Sequence, residues 1–397
     1  MPPTGQSERS SVRLVTEIAS ALVGVLLLAG AFGANQDWID SHFLPGFFMS
    51  AGIDRLAAQS VRLVTAALGI LLAFVARPRI GRFVARSPVR VLVTGVAVVL
   101  AFGEAELLLR RRHVRAVEEA PATQEPRRRL DAHVGWVFVP ARAGHHVKGG
   151  RDIEYAFDSS GYRVRRVDER VDPDAPTIVF TGESMIVGEG LTWEETVPAQ
   201  TANLTGIQSA NVAVSGFAND QAYMRLETEL PRFRQPVAVV SLFMPVIFDR
   251  NLNDDRPHLG PGLIWQPAEA RWRLTAIARQ LVRYRTPDAI ERGIRVTSEV
   301  LRATAALAQA HGAAALIIVP QFGIEEPRDR ELRRRVLDEA NLPYLWVTLD
   351  PSWRIPWDRH PDARATHALA VAVANRLRAS QAVGSVAERD VVDAESK

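Results

Sequence analysis

The chain has 397 residues, 47% hydrophobic and 23% charged, with a formal net charge of +3 at pH 7 and no cysteine. That length allows one sizeable folded domain and something smaller, and the absence of thiols excludes disulfides and cysteine nucleophiles without fixing the compartment. Residues 1–112 hold twelve basic and seven acidic side chains, so the remainder is slightly acidic and lacks the concentrated basic footprint that nucleic-acid binding needs.

Three apolar runs occupy the amino-terminal region, Ile18–Ala34, Leu63–Ala76 and Val89–Phe102, the last extendable through Leu109. Each approaches the roughly 20 residues that cross a bilayer as a helix, and spans are expected at about 14–34, 61–76 and 89–109 within a membrane region of residues 1–112. Arg62 and Arg77 bracket the second run closely and make it the weakest. One cleaved signal peptide does not account for three runs. Arg9 and Arg13 precede the first span, and Arg77, Arg79, Arg82, Arg86 and Arg90 crowd the link between the second and third, whereas residues 35–60 carry only Arg55. Positive residues stay inside, so the amino terminus and that link are cytoplasmic and the chain beyond Leu109 is outside. Arg110, Arg111 and Arg112 oppose this orientation. Glu104 and Glu106, near the end of the third span, are explained by exposure at the interface.

Residues 113–130 are polar and charged and read as a linker. Strand and turn signals follow in DAHVGWVFVPARAGHH and IEYAFDSSGYRV, a small β-rich lead-in. Short apolar runs then alternate with helical segments. Strands are expected at Thr177–Phe180, Ile207–Val214, Val237–Phe243, Ala315–Val319 and Tyr344–Thr348. Helices are expected near Val197–Leu204, Asp220–Glu229, Ala268–Tyr284, Val296–His311, Arg330–Ala340 and Arg364–Arg378. Continuous apolar strands indicate a sheet covered on both faces, hence α/β architecture with a parallel five-stranded sheet. Ligands of such sheets bind beyond the carboxyl ends of the strands.

The residues after those strands carry the chemistry. In IVFTGESM, Gly182 permits a tight turn and Ser184 is delivered to the ligand edge, either as a nucleophile or as the cap of the next helix. In VSGFANDQ, Gly216 offers an unobstructed backbone N–H, while Asn219 or Asp220 caps a helix. WDRHPDARATH places Asp358 and His360 in one loop. A histidine takes a hydroxyl proton near neutral pH, and a carboxylate holds its tautomer. His367 falls in the following helix and is equally a packing histidine. Thr192 and Glu195 have capping-box spacing, Trp193 and Trp353 are core residues or sugar-stacking surfaces, and Arg250 and Asp254 read as the solvated face of a polar excursion over residues 249–262.

These blocks, IVFTGES, NVAVSGFANDQ and WDRHPDARATH, resemble those of the SGNH or GDSL-like hydrolases, and VGWVFVP with FDSSGYR is similar to the lead-in of membrane-attached bacterial members. The resemblance spans about Asp131 to Leu377. It implies a flavodoxin-like three-layer domain over residues 131–380; the segment 381–397, charged and without a core pattern, reads as a flexible tail. It further implies Ser184 as nucleophile, His360 as base, Asp358 as its partner, and the backbone N–H groups of Ser184 and Gly216 as an oxyanion hole. Two departures stand out: Glu183 replaces the usual aspartate before the serine, and Val246 stands where an oxyanion-binding asparagine is expected, leaving Asn219, Asn251 or Asn253 as substitute donors. The implied activity is ester hydrolysis or O-acetyl transfer on an acylated carbohydrate or small ester outside the cytoplasm of a bacterial cell. A catalytically weakened polysaccharide-binding or assembly protein is the alternative. No cofactor, metal or nucleic acid is implied, the bilayer is a partner through the amino-terminal helices, and no protein partner is indicated.

Overall fold

The computed structural model describes residues 4–44, 51–118, 125–269, 272–275, 277, 284–356 and 358–395. It divides into two units, residues 1–114 with 271–287, and residues 115–270 with 288–397.

The first unit contains α1 (Thr4–Gly33), α2 (Gln36–His42), α3 (Ala51–Ile70), α4 (Arg77–Arg86) and α5 (Pro88–Glu118). Three helical stretches, Arg9–Gly33, Arg55–Arg86 and Pro88–Arg111, are long and apolar enough to cross a bilayer. The protein is a multi-pass membrane protein, with its α/β part on the extracytoplasmic side that the arginine distribution selects. The second stretch outruns the expected 61–76 because the helix does not stop at Arg77. A π-helical turn, Leu71–Ala76, joins α3 to α4 just before Pro78. A widened turn there accommodates the missing N–H and the bulk of the proline ring.

Within this unit α1 and α3 meet backbone to backbone. A Cβ on Gly24 would lie 2.7 Å from the Gly69 carbonyl oxygen and 2.6 Å from the Ala73 nitrogen, and one on Gly69 would lie 2.8 Å from the Gly24 carbonyl oxygen. In lipid, helices gain little from excluding water and associate through such close contacts of small residues.

Among the described residues the second unit carries twelve strands: β1 (Arg128–Asp131), β2 (Gly135–Phe138), β3 (Arg142–Lys148), β4 (Arg151–Phe157), β5 (Arg163–Val164), β6 (Thr177–Phe180), β7 (Gln208–Asn211), β8 (Pro236–Leu242), β9 (His258–Leu259), β10 (Trp265–Gln266), β11 (Ala314–Phe322) and β12 (Tyr344–Leu349). Its helices are α6 (Ser184–Val187), α7 (Val197–Thr205), α8 (Asn219–Glu229), α9 (Pro287–Ala310), α10 (Pro327–Arg333) and α11 (Ala363–Glu395).

The main sheet has eight strands in the order β12-β11-β8-β6-β7-β5-β4-β3, which corrects the expectation of five. The five expected strands form its parallel part. The lead-in then extends it antiparallel, through Arg163 opposite Asn211 and the β3–β4 hairpin. An open β7 edge would leave a row of unpaired N–H and C=O groups, and the lead-in covers it. The sheet is therefore mixed.

Two other expectations change. The terminal helix runs to Glu395, through the segment read as a tail, of which residues 396–397 lie outside the described residues. The helix expected at Ala268–Tyr284 is no layer of the α/β domain: residues 271–287 group with the membrane helices, and 270, 271, 276 and 278–283 lie outside the described residues.

All four residues of β6 are buried, as an interior strand covered on both faces requires. Val179, Ala210, Val212, Leu226, Leu230, Phe233 and Val239 join one core cluster between the sheet and α8. Burying a side chain such as Leu226 contributes about 1.5–3 kcal/mol. The chain steps from β6 outward to β7 and then back across to β8. The end of β6 is thus where the succession reverses, the place in such sheets where a crevice opens.

Candidate active site

The β6 strand hands its chain to this edge through Thr181 and Gly182. Thr181 is fixed by its N–H to the Val240 carbonyl at 2.9 Å and its hydroxyl to the Ala222 carbonyl at 3.0 Å. Gly182 has φ +150°, a value an L side chain would strain. Glu183 is then the N-cap of α6, its Oε1 accepting from the Met185 N–H at 3.1 Å. Ser184 is the first residue of the helix, and it does not act as the cap.

The four-residue α6 is too short to hold itself, and side chains from the sheet secure it. Asn211 donates from Nδ2 to the Ile186 carbonyl at 2.9 Å. Arg163, fully buried on β5, donates from Nη1 to the carbonyls of Val187 and Gly188 and from Nη2 to that of Leu191. Its guanidinium lies 4.5 Å from the Tyr155 ring centroid, and the Tyr155 hydroxyl accepts from the Gly190 N–H at 2.7 Å. Burial pulls the Arg163 pKa down to about 10, still far above neutrality. A planar fork suits several carbonyls at once. The signal in the sequence is a lone arginine amid the apolar positions of GYRV.

Asp358 and His360 sit in a compact loop between β12 and α11. The loop is pinned by the Ile355 N–H to the His360 carbonyl at 2.8 Å and the Asp362 N–H to the Trp353 carbonyl at 3.1 Å. Arg359 adopts φ +65°, turning the chain so that residues 358 and 360 face the same way. His360 Nδ1 hydrogen-bonds Asp358 Oδ1, and His360 Nε2 lies 2.8 Å from Ser184 Oγ. Ser184, Asp358 and His360 are all buried, at 3%, 8% and 4% exposure. The structure thus brings the three expected residues into one hydrogen-bonded chain. His367 is elsewhere: its Nδ1 meets Gln200 Oε1 at 2.7 Å in an open groove also lined by Glu194 and Trp353. Trp193 begins a short 3-10 turn, and the Thr192 N–H donates to Glu195 Oε2 at 3.0 Å, as capping-box spacing predicts.

Glu183 stands where the resembling family has aspartate, and the structure gives it two partners. Its Oε2 accepts from the Ser184 hydroxyl and also from Arg250 Nη1 at 2.9 Å. Arg250 is therefore no solvated loop residue, but a half-buried counter-charge beside the serine. Burial by itself would raise the Glu183 carboxyl. Arg250, then His360, the Ser184 hydroxyl and the Met185 N–H outweigh it and hold the carboxyl below its ordinary range. Ser184 has one hydroxyl proton and two neighbouring acceptors, Glu183 Oε2 and His360 Nε2.

Gly216 lies in the turn after β7. Its carbonyl accepts from Arg256 Nη1 at 2.8 Å, and the neighbouring Ser215 carbonyl accepts from Trp136 Nε1 at 3.0 Å. The guanidinium groups of Arg128 and Arg256 each lie 5.9 Å from the Trp136 ring centroid. With its carbonyl held on one side, the peptide directs its N–H to the other. Among the described residues neither the Ser184 nor the Gly216 N–H has a hydrogen-bond acceptor.

Two of the expected substitute donors, Asn219 and Asn251, are occupied. Asn251 donates from Nδ2 to Asn219 Oδ1 and to Thr297 Oγ1, both at 3.0 Å. Asn219 donates from Nδ2 to the Leu242 carbonyl at 2.7 Å, and its N–H donates to Asn251 Oδ1 at 3.0 Å. The two amides tie the 3-10 segment Pro245–Leu252 to the start of α8. Val246 belongs to that segment and carries no polar donor.

No protein-family model matches the chain, and no curated protein matches it. Among solved structures it is similar to a protein assigned to the lipolytic G-D-S-L family from Desulfitobacterium hafniense DCB-2, with 10% identity, a TM-score of 0.33, and coverage of 51% of this chain and 98% of that one. It is also similar to the acetyl xylan esterase Est2A from Butyrivibrio proteoclasticus, with 9% identity, a TM-score of 0.34, and coverage of 54% and 66%. A family two carbohydrate esterase from Cellvibrio japonicus is similar at 13% identity, a TM-score of 0.31, and coverage of 51% and 60%. At such scores the likeness carries no argument, and the chemistry of this chain rests on its own atoms.

Proposed function

We propose that this protein is a membrane-anchored, extracytoplasmic serine ester hydrolase or O-acyl transferase of the SGNH type. The observation that carries this reading is the 2.8 Å approach of Ser184 Oγ to His360 Nε2, with Asp358 on the opposite ring nitrogen. With the ring proton on Nδ1 and directed at Asp358, Nε2 presents its lone pair to the Ser184 hydroxyl and accepts the serine proton. Ser184 Oγ then bonds to the acyl carbon of an ester, and its proton passes to His360. The carbonyl oxygen gains the negative charge, which the Ser184 and Gly216 N–H groups receive. His360 returns the proton to the departing alcohol oxygen, leaving the acyl group on Ser184. Water or a sugar hydroxyl takes up that acyl group with the same proton relay in reverse. The substrate class, an acylated carbohydrate or small ester, follows from the sequence resemblance.

Glu183 and Arg250 qualify this chemistry. A carboxylate touching the nucleophile would oppose an oxyanion forming nearby, and Arg250 neutralises it. The hydroxyl proton must turn from Glu183 to His360 before attack.

A second reading has one specific observation in its favour: Val246 offers no donor, and the amides of Asn219 and Asn251 are engaged with each other and their neighbours. On this reading the domain binds polysaccharide on a weakened site. Labelling the detergent-solubilised chain with a fluorophosphonate and identifying the modified peptide separates the two. Modification of Ser184, lost in Ser184→Ala together with p-nitrophenyl acetate turnover, supports the esterase; an unmodified serine with intact glycan binding supports the alternative.

A further inference from the structure

Val246 leaves the segment Pro245–Leu252 without the expected amide, yet the same segment sends Arg250 to the nucleophile. Arg250 Nη1 donates at 2.9 Å to Glu183 Oε2, the oxygen that also accepts from the Ser184 hydroxyl. One carboxylate oxygen thus separates the guanidinium from the attacking atom. A guanidinium carries several N–H donors in a rigid fork. Among the described residues, only the N–H on Glu183 meets an acceptor. The side chain is half-buried, so its remaining donors face a partly dehydrated site.

The residues around Arg250 hold it in place. Glu183 is fixed in turn, because its other oxygen caps α6 through the Met185 N–H at 3.1 Å. Arg256, only 7% exposed, donates from Nη1 to the Gly216 carbonyl at 2.8 Å and from Nη2 to the Arg250 carbonyl. One buried guanidinium therefore joins the turn that offers the Gly216 N–H to the segment that offers Arg250. Asn251 ties that segment to α8 through Asn219. Donors held before charge develops cost no reorganisation when it appears.

We propose that Arg250 is a catalytic residue that donates an N–H to the oxyanion, in place of the amide that Val246 lacks, and that Arg256 is its positioning residue. The inference rests on the esterase reading. As Ser184 Oγ bonds to the acyl carbon, its proton passes to His360 Nε2 and the carbonyl π pair moves onto oxygen. Arg250 then joins the Ser184 and Gly216 N–H groups around that oxygen. When the carbonyl re-forms, the alcohol leaves with the proton from His360 and the contact weakens. An interaction strongest in the transition state acts on kcat more than on KM.

Arg250 could also act only as a counter-charge to Glu183, and two variants of the solubilised full chain separate these roles. Combining Glu183→Gln with Arg250→Met removes both charges and leaves no carboxylate unpaired. Its kcat for p-nitrophenyl acetate should be about 10²–10³-fold below that of Glu183→Gln alone, with KM within a few-fold. Arg250→Lys keeps the counter-charge but loses the fork, and its kcat should fall about tenfold below that of the parent chain, again at similar KM. A double variant as fast as Glu183→Gln, or an Arg250→Lys chain as fast as the parent, overturns the proposal and leaves the esterase reading standing. A parent chain no faster than Ser184→Ala overturns both.

Discussion

Arg250 donates to Glu183 at 2.9 Å on the same carboxylate oxygen that receives the Ser184 hydroxyl. The pair sets the charge around the nucleophile, because an ionised Glu183 without Arg250 would lose its largest counter-charge in a buried site. The lowered Glu183 pKa gives the sign of the pH dependence: its contribution to stability is complete above the ordinary carboxylate value of 4.5 and is lost as pH falls through the depressed folded value. Arg250→Ala should cost about 1–3 kcal/mol at pH 7, discounted because the arginine is half-buried. The cost should shrink toward pH 4 as the unpaired carboxyl takes a proton. Urea midpoints of the solubilised chain at the two pH values check this, and adding Glu183→Gln should restore most of the loss at pH 7.

For the proposed relay, Asp358→Asn should lower kcat for p-nitrophenyl acetate by on the order of 10⁴-fold near neutral pH, with KM little changed. An amide cannot stabilise the imidazolium, and it favours the wrong ring tautomer. Turnover within a few-fold of the parent enzyme would remove Asp358 from the mechanism.

Arg163 acts at a distance from the serine by holding three carbonyls at the far end of α6. Arg163→Met should destabilise the fold by about 3 kcal/mol, since buried acceptors lose a charged donor. The denaturation midpoint should fall, and the remaining folded fraction should label more slowly with fluorophosphonate.

In the membrane unit, Gly24→Leu drives a side chain into the Gly69 and Ala73 backbone. Overpacking of about 1–3 kcal/mol is expected, read as a lower thermal midpoint in detergent, whereas Gly30→Leu, where a Cβ has open space, should leave the midpoint unchanged.

Much of this architecture is legible in the chain. Apolar runs of bilayer length announce the spans, and β6, β8, β11 and β12 show as short continuous apolar stretches. Local pattern failed where a segment's surroundings decide its role. The lead-in reads as a separate β element because nothing local says that β7 has an open edge. Residues 268–284 read as a helix of the α/β domain because an apolar period does not say which unit a segment joins. Arg250 and Glu106 look like surface charges, since their partners, Glu183 and the Arg273 N–H, lie 67 and 167 positions away.

The sequence by itself determined the membrane spans, their orientation and the positions of the residues that follow each parallel strand, because bilayer thickness and strand period act on contiguous residues. Only the tertiary structure decided that Ser184 and His360, 176 positions apart, meet at 2.8 Å, and that Glu183 shares its oxygen between a hydroxyl and a guanidinium. Hydrogen bonds and ion pairs depend on ångström distances between remote segments, and no local pattern in the chain encodes those.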